Sequence, residues 1–376
     1  MKLFHISDLH LGKRVYEFSM LEEQKELLHI ILEKIEEEKP QILLITGDVY
    51  DKPIPPVEAV RLLDWFLTKL AESNLSVYMI AGNHDSAQRL EFGKDLIGRN
   101  GIHIEGGVSE EISCFTEMDD FGKVYIHLLP FFKPAHVNGI LNENFSDYGK
   151  AAKALLDKTN IDFSERNILL AHQFVTWKGS AERSDSEMIS LGGVEEIDAS
   201  MFFDFDYTAL GHLHSPQRMG RDTVRYAGSP MPYSFSEIRQ KKGITVVELK
   251  EKGNVSIGFI PLETKRKYRE IKGPLEELLK AAKEDDASED YIRCILTDKE
   301  ALFDPIGQLR SVYPNLMVLE FAAKNMENEE VDLVYSEDLS PDELFSMFFE
   351  KQNDKEINGD QKKILDKIWK ELEGAE

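Results

Sequence analysis

The chain has 376 residues, of which 42% are hydrophobic and 30% are charged, and its formal net charge is −24. This length exceeds the size at which one hydrophobic core usually stops growing, so we expect more than one domain, and no run of residues approaches the roughly 20 apolar residues that a membrane span requires. The acidic charge argues against tight non-specific DNA binding by this chain alone, but it does not exclude a nuclease.

The cysteines and the first residues indicate the compartment. Cys114 and Cys294 are far apart and lack the CxxC spacing of metal or redox sites, which favours free thiols in a reducing cytoplasm. The opening MKLFHISDLH contains one lysine and reaches Asp8 too early for a signal peptide. We therefore expect a cytoplasmic protein that does not bind a membrane.

The first 260 residues alternate between two kinds of segment. The short apolar runs KLFHISDL, QILLITGD and SVYMIAGN predict buried strands. Between them, MLEEQKELLHIILEKIEEE and PVEAVRLLDWFLTKLAE carry apolar residues every three or four positions and predict helices; Pro55 and Pro56 suit the first turn of the second helix. With a later strand in NILLAHQF, this alternation predicts an α/β domain with parallel strands.

Polar motifs follow these strands. DLH, GD and GNHD end the first three, NILLAHQF contains a histidine, and ALGHLH at residues 209–214 adds two more after an apolar run. In parallel sheets, ligands bind outside the carboxyl ends of the strands. We therefore expect seven donor side chains to converge on one rim: Asp8, His10, Asp48, Asn83, His172, His212 and His214.

Seven donors exceed the ordinary coordination of one ion. They suit two ions about 3.5–4 Å apart that share one carboxylate, an arrangement that binds a phosphate oxygen and lowers the pKa of a bound water. Mixed carboxylate and imidazole donors without thiolate favour Mn, Fe or Zn. Each motif alone is weak, but all five in this order predict a metallophosphoesterase.

The motifs also carry a family resemblance. D-x-H, GD, GNHD, H and GHxH resemble the calcineurin-like metallophosphoesterase superfamily, and FHISDLHLG, GDVYD, GNHDS, YTALGHLHSPQ and RYAGSPMPYSFSE resemble its SbcD-like nuclease subunits. The resemblance covers essentially the whole chain and is weakest after residue 325. It implies an α/β sandwich of two sheets flanked by helices (1–262), a small α+β capping domain (263–325) and a partner-binding helical tail (326–376).

The resemblance implies a role for each site residue. One divalent ion, expected to be Mn, would take Asp8, His10, Asp48 and His214, and a second would take Asp48, Asn83, His172 and His212. His84 would act on the phosphate, by stabilising charge or by protonating the leaving oxygen, and Asp51 would orient His84. Ser/Thr phosphatases have Arg where this chain has Lys52, and some relatives have His where it has Asp51.

The function implied is a metal-dependent DNA nuclease that acts on DNA ends and hairpins in repair and recombination. Its expected assembly is a homodimer within a heterotetramer that contains an SbcC-type ATPase. One alternative is a small-nucleotide phosphodiesterase or phosphatase of the same superfamily. The RYAGSP motif and the partner-binding tail argue against this alternative. The other is a non-catalytic DNA-end scaffold, which would normally lack part of the donor set.

Several charged residues near the motifs have two interpretations. Contact with DNA phosphates and ordinary solvated charge are equally expected for Lys13, Arg14, Arg89, Lys178 and Arg183. Asp85 is expected to cap the helix that follows it. The remaining histidines match no motif and are expected to be ordinary surface or core residues.

The last 114 residues have a different sequence pattern from the first 262. The small α+β unit is predicted by four segments: PLEELLKAAKEDD, YIRCILTD, a helix from Glu300 to Val312 and NLMVLEF. This unit would restrict the access of DNA to the ions or be a structural appendage.

Residues 327–376 hold 16 acidic and 6 basic side chains. Within them, Ser340 is expected to start one helix, and a second helix carries one apolar stripe: Ile364, Leu365, Ile368, Trp369 and Leu372. The resemblance implies that this region grips the coiled-coil base of the ATPase; the alternative is packing on its own domain.

Overall fold

The computed structural model describes residues 1–187, 196–322, 345–350 and 355–373. Two compact units divide the chain, residues 1–322 and residues 323–376. Among the described residues, no helix is both long and apolar enough to cross a membrane.

The helices are amphipathic and mostly short. They are α1 Leu21–Glu38, α2 Val57–Ala71, α3 Ala87–Leu90, α4 Lys94–Gly98, α5 Pro134–Leu141, α6 Tyr148–Lys158, α7 Leu275–Ala281, α8 Pro305–Arg310 and α9 Gly359–Glu373. The predicted first two helices are confirmed as α1 and α2. Pro56 precedes the first residue of α2 as its N-cap, in an extended conformation.

Within the described residues, the strands form two large sheets and three small ones. They are β1 Lys2–Ile6, β2 Arg14–Val15, β3 Phe18–Ser19, β4 Ile42–Thr46, β5 Ser76–Ile80, β6 Ile102–Glu105, β7 Ser113–Asp119, β8 Gly122–Leu129, β9 Arg166–His172, β10 Val175–Thr176, β11 Ile197–Asp198, β12 Tyr207–Gly211, β13 Gln217–Met219, β14 Arg221–Tyr226, β15 Gly243–Leu249, β16 Val255–Pro261, β17 Tyr268–Gly273, β18 Tyr291–Leu296 and β19 Leu316–Phe321.

The first large sheet has the strand order β16-β15-β1-β4-β5-β6. Strands β1, β4, β5 and β6 run parallel; β15 pairs antiparallel with β1, and β16 pairs antiparallel with β15 at the edge of the sheet. The predicted βαβαβ unit is confirmed, since α1 and α2 connect its parallel strands. Every residue of β4 is buried, which is why this strand has a continuous apolar sequence.

The second large sheet has the order β13-β14-β12-β9-β8-β7. Its strands β8, β9, β12 and β14 are parallel. The register places Gly211 of β12 beside His172 of β9. The carboxyl ends of these two strands therefore lie side by side: β9 ends at the predicted ligand His172, and the predicted ligand His212 directly follows β12.

The two large sheets pack face to face. Alternate side chains of both sheets form one apolar layer between them, including Leu44, Ile80, Ile126 and Leu170. The opposite face of the first sheet is covered by α1 and α2, and that of the second sheet by α5 and α6. This is the predicted sandwich of two sheets flanked by helices, and the fold class is confirmed.

A three-stranded parallel sheet, β17-β18-β19, follows the sandwich. Helices α7 and α8 cover it, and the unit has its own apolar core. The helix predicted from Glu300 to Val312 is shorter in the structure, because Pro305 occupies its first turn and Asp304 caps it. Residues 299–304 are not helical.

In the second compact unit, residues 345–350 and α9 are helical. The predicted helix start at Ser340 lies outside the described residues. Within α9, Leu365 is buried, whereas Ile364 and Ile368 are 61% and 48% exposed. The backbone of Leu372 belongs to α9, but its side chain is not among those that the structure describes.

Candidate metal centre

The structure brings all seven predicted donors together at one end of the sandwich. The first large sheet and its loops supply Asp8, His10, Asp48 and Asn83, and the second supplies His172, His212 and His214. Six of them are buried, and Asn83 is half-buried. This arrangement agrees with the expectation that the donors at the carboxyl ends of the strands converge on one rim.

The backbone turns abruptly at four of the donors. Asp8, His10, Asp48 and His212 have φ angles of 53°, 43°, 47° and 109°. Positive φ is uncommon for residues other than glycine and costs on the order of 1–3 kcal/mol at each position. The surrounding structure therefore holds these four side chains in directions that a continued strand would not allow.

Two glycines permit close contacts within the centre. A Cβ atom on Gly211 would overlap the main-chain oxygen of Thr46, and one on Gly82 would overlap Oδ1 of Asp48. Any side chain at either position would push these segments apart. Gly211, before His212, thus lets the two sheets approach each other, whereas Gly82, before Asn83, lets the loops after β4 and β5 of the first sheet approach each other.

One donor group consists of Asp8, His10 and His214, whose ligand atoms lie within 4.8 Å of one another. Nε2 of His10 and Nε2 of His214 are 3.1 Å apart. Two imidazole nitrogens bound to one ion at about 2.0–2.1 Å lie roughly 3 Å apart. The other nitrogen of His10, Nδ1, lies 3.6 Å from Oδ1 of Asp51. The group fits a divalent cation.

A second donor group lies around Asn83. Its Oδ1 is 3.0 Å from Nε2 of His172 and 2.9 Å from Nδ1 of His212. The other nitrogen of His172, Nδ1, donates to the main-chain oxygen of Thr46 at 2.7 Å, so Nε2 is the nitrogen that binds an ion once it has lost its proton. An amide oxygen and two imidazoles that meet in this way also fit a divalent cation.

Asp48 lies between the two groups. Its Oδ2 is 3.7 Å from Nε2 of His10 and 3.4 Å from Nε2 of His172. Its Oδ1 accepts a hydrogen bond from the main-chain N–H of His84 at 2.9 Å. One carboxylate oxygen within reach of both groups is the geometry that a shared ligand requires.

Burial and the carboxylates set the charge of the imidazoles. Burial lowers the pKa of His10 well below its usual range, and burial together with the neighbouring His172 lowers the pKa of His212 to about 3. Both rings are therefore neutral and offer a lone pair. Burial acts in the same direction on His172, but the Asp48 carboxylate outweighs it and raises the pKa of His172 to about 9.

His84 lies beside the donors and is half-buried. Its ring is 4.8 Å from that of His10, centre to centre, and its Nδ1 donates to the main-chain oxygen of Asp51 at 2.8 Å. The Asp51 carboxylate instead accepts from Lys13 at 2.8 Å. Asp51 is thus adjacent to His84, as expected, and in this structure it holds the ring through its main chain.

The prediction that Asp85 caps the following helix is wrong. Its carboxylate accepts main-chain N–H groups of Val49, Tyr50 and Gly82 at 2.8–3.1 Å, and Ser86 is the N-cap of α3. Asp85 therefore ties the loop after β4 to the loop after β5. Burial, with the nearby Asp48, raises the pKa of Asp85 to about 6.

Supporting residues that the sequence analysis missed surround the donors. Gln24 of α1 donates to the main-chain oxygens of Leu9 and His10 and accepts from Gly12, and Tyr233 donates to the oxygen of Leu9. These contacts fix the turn that contains the first two donors. Gln24 lies on a helix with no motif, so only its polar character at a buried position could have marked it.

A second supporting set surrounds His214. Its members are Ser186, Glu187, Glu237 and Lys242. Burial would raise the pKa of Glu237, but the hydrogen bond from His214 and the charge of Lys242 hold it below its usual range. Glu237 belongs to RYAGSPMPYSFSE, a motif that carried the family resemblance without any assigned role.

Of the five basic residues considered for DNA contact, two have partners near the centre. Lys13 pairs with Asp51 and lies 5.5 Å from the ring centre of Tyr233. Arg183 lies 4.4 Å from the ring centre of Phe174, and that ring is 6.3 Å from His212. Arg14, Arg89 and Lys178 are exposed.

The fold and the site together define a class of protein: an α/β sandwich phosphoesterase with candidate ligands for divalent metal ions where its two sheets meet.

Comparison with known proteins refines this class. Residues 1–216 match the calcineurin-like phosphoesterase family, and residues 264–353 match the family described as the type 5 capsule protein repressor C-terminal domain. The chain is 31% identical over 323 residues to the SbcD subunit of the nuclease SbcCD from Staphylococcus epidermidis, and the match covers 85% of each chain. The chain belongs to the calcineurin-like phosphoesterase family and, within it, to the SbcD family. The predicted resemblance is confirmed.

The matches among solved structures have lower sequence identity. A dimetal phosphatase from Danio rerio is 14% identical, with a TM-score of 0.39, and covers 70% of this chain and 99% of its own. A protein from Staphylococcus aureus, described as a candidate 5′-nucleotidase, is 12% identical, with a TM-score of 0.39. The match covers 84% of this chain and 58% of the nucleotidase chain.

Proposed function

We propose that this chain is the nuclease subunit of an SbcC–SbcD-like complex and hydrolyses phosphodiester bonds at DNA ends and hairpins during repair and recombination. The observation that carries the proposal is the set of seven donors, complete and convergent, in a chain whose relative over 85% of its length is named a nuclease. A non-catalytic scaffold would have no need of two adjacent donor groups.

The donor groups correspond to two ions. We assign Asp8, His10, Asp48 and His214 to one ion, and Asp48, Asn83, His172 and His212 to the other. Bound divalent ions would activate water at neutral pH and stabilise the charge of a phosphoryl group. Oxygen and imidazole donors without thiolate suit Mn, our proposed physiological ion, and the neutral rings of His10 and His212 need lose no proton before they bind.

His84 is our candidate for the residue that acts on the phosphate. The oxygen of Asp51 accepts only, so Nδ1 of His84 keeps its proton and Nε2 faces away from this bond. When the ring is protonated, Nε2 donates to a phosphate oxygen or to the leaving oxygen. General acid catalysis of this kind contributes about 10²–10⁴-fold. Asp51 supports the role by fixing the ring.

The charge of the chain makes a partner necessary. DNA affinity comes largely from basic side chains that neutralise phosphates, and this chain has a formal charge of −24. We propose that an SbcC-type ATPase supplies most of the DNA binding and that α9 is the joint, since Ile364 and Ile368 expose apolar surface on that helix. The proposed assembly is a cytoplasmic heterotetramer with two copies of this chain.

We also propose a division of the chain into three domains. Residues 1–262 would be the nuclease domain, 263–325 the capping domain and 326–376 the tail. Tyr268 and Tyr291 at the start of β17 and β18 pack with the sandwich core, and Tyr268 lies 5.2 Å from Phe235, centre to centre. Phe235 is two residues from Glu237, so the capping domain borders the support of His214 and would limit the DNA that reaches the ions.

The deciding experiment compares substrates. Purified chain, with and without its ATPase partner, is incubated with end-labelled duplex DNA, hairpin DNA, a small phosphodiester and a phosphomonoester in the presence of Mn, Mg, Zn or Fe. We expect ATP-dependent cleavage of duplex ends and hairpins by the complex, and metal-dependent hydrolysis of the small diester by the chain alone. Rapid hydrolysis of nucleotides without cleavage of DNA would instead identify a small-nucleotide phosphodiesterase.

A further inference from the structure

Nδ1 of His214, on the side of the ring that faces away from His10, lies beside a serine hydroxyl and a buried carboxylate. Nδ1 of His214 is 2.8 Å from Oγ of Ser186, and that Oγ is 2.5 Å from Oε1 of Glu237. The same Oε1 is 3.4 Å from Nδ1 itself. Glu237 is completely buried and His214 is nearly so, whereas Ser186 is half-buried.

The short contact between Ser186 and Glu237 determines where the protons lie. Two oxygens 2.5 Å apart share a hydrogen. An ionised carboxylate has none to give, so the hydrogen is that of the serine hydroxyl. The serine oxygen can then only accept from His214, which places a proton on Nδ1. The lone pair of a neutral ring is left on Nε2, the nitrogen that faces His10.

A buried cation keeps Glu237 ionised. Nζ of Lys242 lies 2.6 Å from Oε2 of Glu237, and both side chains are 5% exposed or less. Lys242 also donates to the main-chain oxygen of His214 at 2.7 Å and to Ser229 at 2.8 Å. A buried pair of this kind has its remaining hydrogen bonds satisfied, which is the condition under which buried charges persist.

We propose that Glu237 is a positioning residue that, through Ser186, fixes the His214 ring with its proton on Nδ1 and its lone pair on Nε2, so that Nε2 binds an ion. This inference rests on the proposed function, in which His214 holds one of the two ions. Partners that orient a metal-bound histidine typically contribute 10–100-fold to metal affinity.

The other donor group achieves the same result differently. Nδ1 of His172 donates to the main-chain oxygen of Thr46, which no side-chain substitution removes. The ring of His214 depends instead on side chains that come from two distant segments, Ser186 and Glu237. A change at Glu237 should therefore affect one ion and spare the other.

The test uses the full-length chain and two substitutions. In Glu237→Gln, the amide oxygen faces Lys242 and the NH2 group donates to Ser186. The serine hydroxyl then turns to donate to His214, which moves the proton of a neutral ring to Nε2. In Ser186→Ala, Oε1 of Glu237 accepts from Nδ1 directly, so the proton stays on Nδ1.

The matched control is Asp206→Asn. Asp206 is also a buried carboxylate paired with a lysine, Lys252, at 2.8 Å, and it accepts the main-chain N–H groups of Asn167 and Gly253. It lies immediately before β12, at the opposite end of that strand from His212 and His214. It therefore reports the general cost of neutralising a buried carboxylate.

Two measurements decide the proposal. The first is the ¹⁵N chemical shifts of the His214 ring in metal-free, ¹⁵N-histidine-labelled protein, assigned with His214→Ala. The second is Mn²⁺ titration by calorimetry. We expect wild type and Ser186→Ala to show the proton on Nδ1, and Glu237→Gln to show it on Nε2 with 10–100-fold weaker binding of one ion. Asp206→Asn should match wild type in both.

Either of two results would overturn the proposal. One is an unchanged His214 ring and unchanged Mn²⁺ affinity in folded Glu237→Gln. The other, which applies even if Glu237→Gln does not fold, is a proton on Nε2 in Ser186→Ala. The proposed function is tested separately, because it fails if His214→Ala still binds two ions with wild-type affinity.

Discussion

Nε2 of His10 and Nε2 of His214 face each other at 3.1 Å although 204 positions separate the two residues. His10 follows a strand of one large sheet, and His214 follows a strand of the other. An ion held by both nitrogens therefore connects the two sheets, and four of the proposed ligands belong to one sheet and three to the other.

The first prediction is that metal ions raise the thermal stability. Ions that bind only the folded chain stabilise it by about 2.7 kcal/mol when their concentration is 100 times Kd. Calorimetric melting with increasing Mn²⁺ should show a rising Tm. In Asp48→Ala the rise should disappear, and an equal rise in that variant would mean that the stabilising ions bind elsewhere.

A second prediction separates the shared ligand from a single ligand. Asp48→Ala should empty or scramble both sites, because its Oδ2 lies near His10 and His172. His214→Ala should keep partial occupancy, because that residue belongs to one group. Native mass spectrometry counts the bound ions. Identical counts in the two variants would contradict the assignment of Asp48 as the shared ligand.

A third prediction concerns His84. His84→Gln should retain both ions and lose about 10²–10⁴-fold in turnover, because the side chain acts on the phosphate and not on the ions. Turnover of a small phosphodiester and metal content are measured on the same preparation. Loss of both ions, or normal turnover, would show that the role is wrong.

A fourth prediction follows from the raised pKa of His172. The neighbouring Asp48 raises it to about 9 in the metal-free protein, so the ring carries a proton at neutral pH that an ion must displace. Metal affinity should therefore rise between pH 7 and 9, with release of a proton on binding. Calorimetry in two buffers of different ionisation enthalpy measures the released proton. Affinity that is independent of pH in this range would exclude a charged His172.

The fifth prediction concerns the tail. Ile364→Glu with Ile368→Glu should abolish co-purification with the ATPase and cleavage of duplex ends, because both side chains are exposed on α9. Hydrolysis of a small phosphodiester should not change, since the donors lie within residues 8–214. The control, Lys362→Glu, adds negative charge to the same helix without removing apolar surface. Partner binding that survives the double substitution would show that this surface packs within the chain.

The sequence was sufficient to predict the first parallel strands and the convergence of the seven candidate donors, because both follow local rules. Apolar runs such as that of β4 predict buried strands, and the carboxyl ends of parallel strands meet at one edge of a sheet. Asp8 and Asp48 lie two residues after the ends of β1 and β4, and Asn83 lies three residues after the end of β5. No knowledge of distant contacts was needed to expect them at one place.

The residues that support the donors could not be predicted in the same way. Glu237 and Ser186 lie 23 and 28 positions from His214, and their contacts arise only from the path of the intervening chain. Asp85 was predicted wrongly because its position before a helix suggests a cap, whereas two loops that meet in space offer it three main-chain N–H groups. Polar contacts across loops have no period in the sequence.

The glycines at positions 82 and 211 have a consequence for protein engineering. The missing side chain of Gly211 sets how closely the two sheets approach at the metal centre, and that of Gly82 sets how closely the loops after β4 and β5 approach. Both spacings must be correct before any ligand is placed. A designer who transplants the aspartates and histidines onto another sandwich would obtain donors that point at each other from too far away. Such a graft should begin with the two glycines and the contacts to Thr46 and Asp48, and only then introduce the imidazoles.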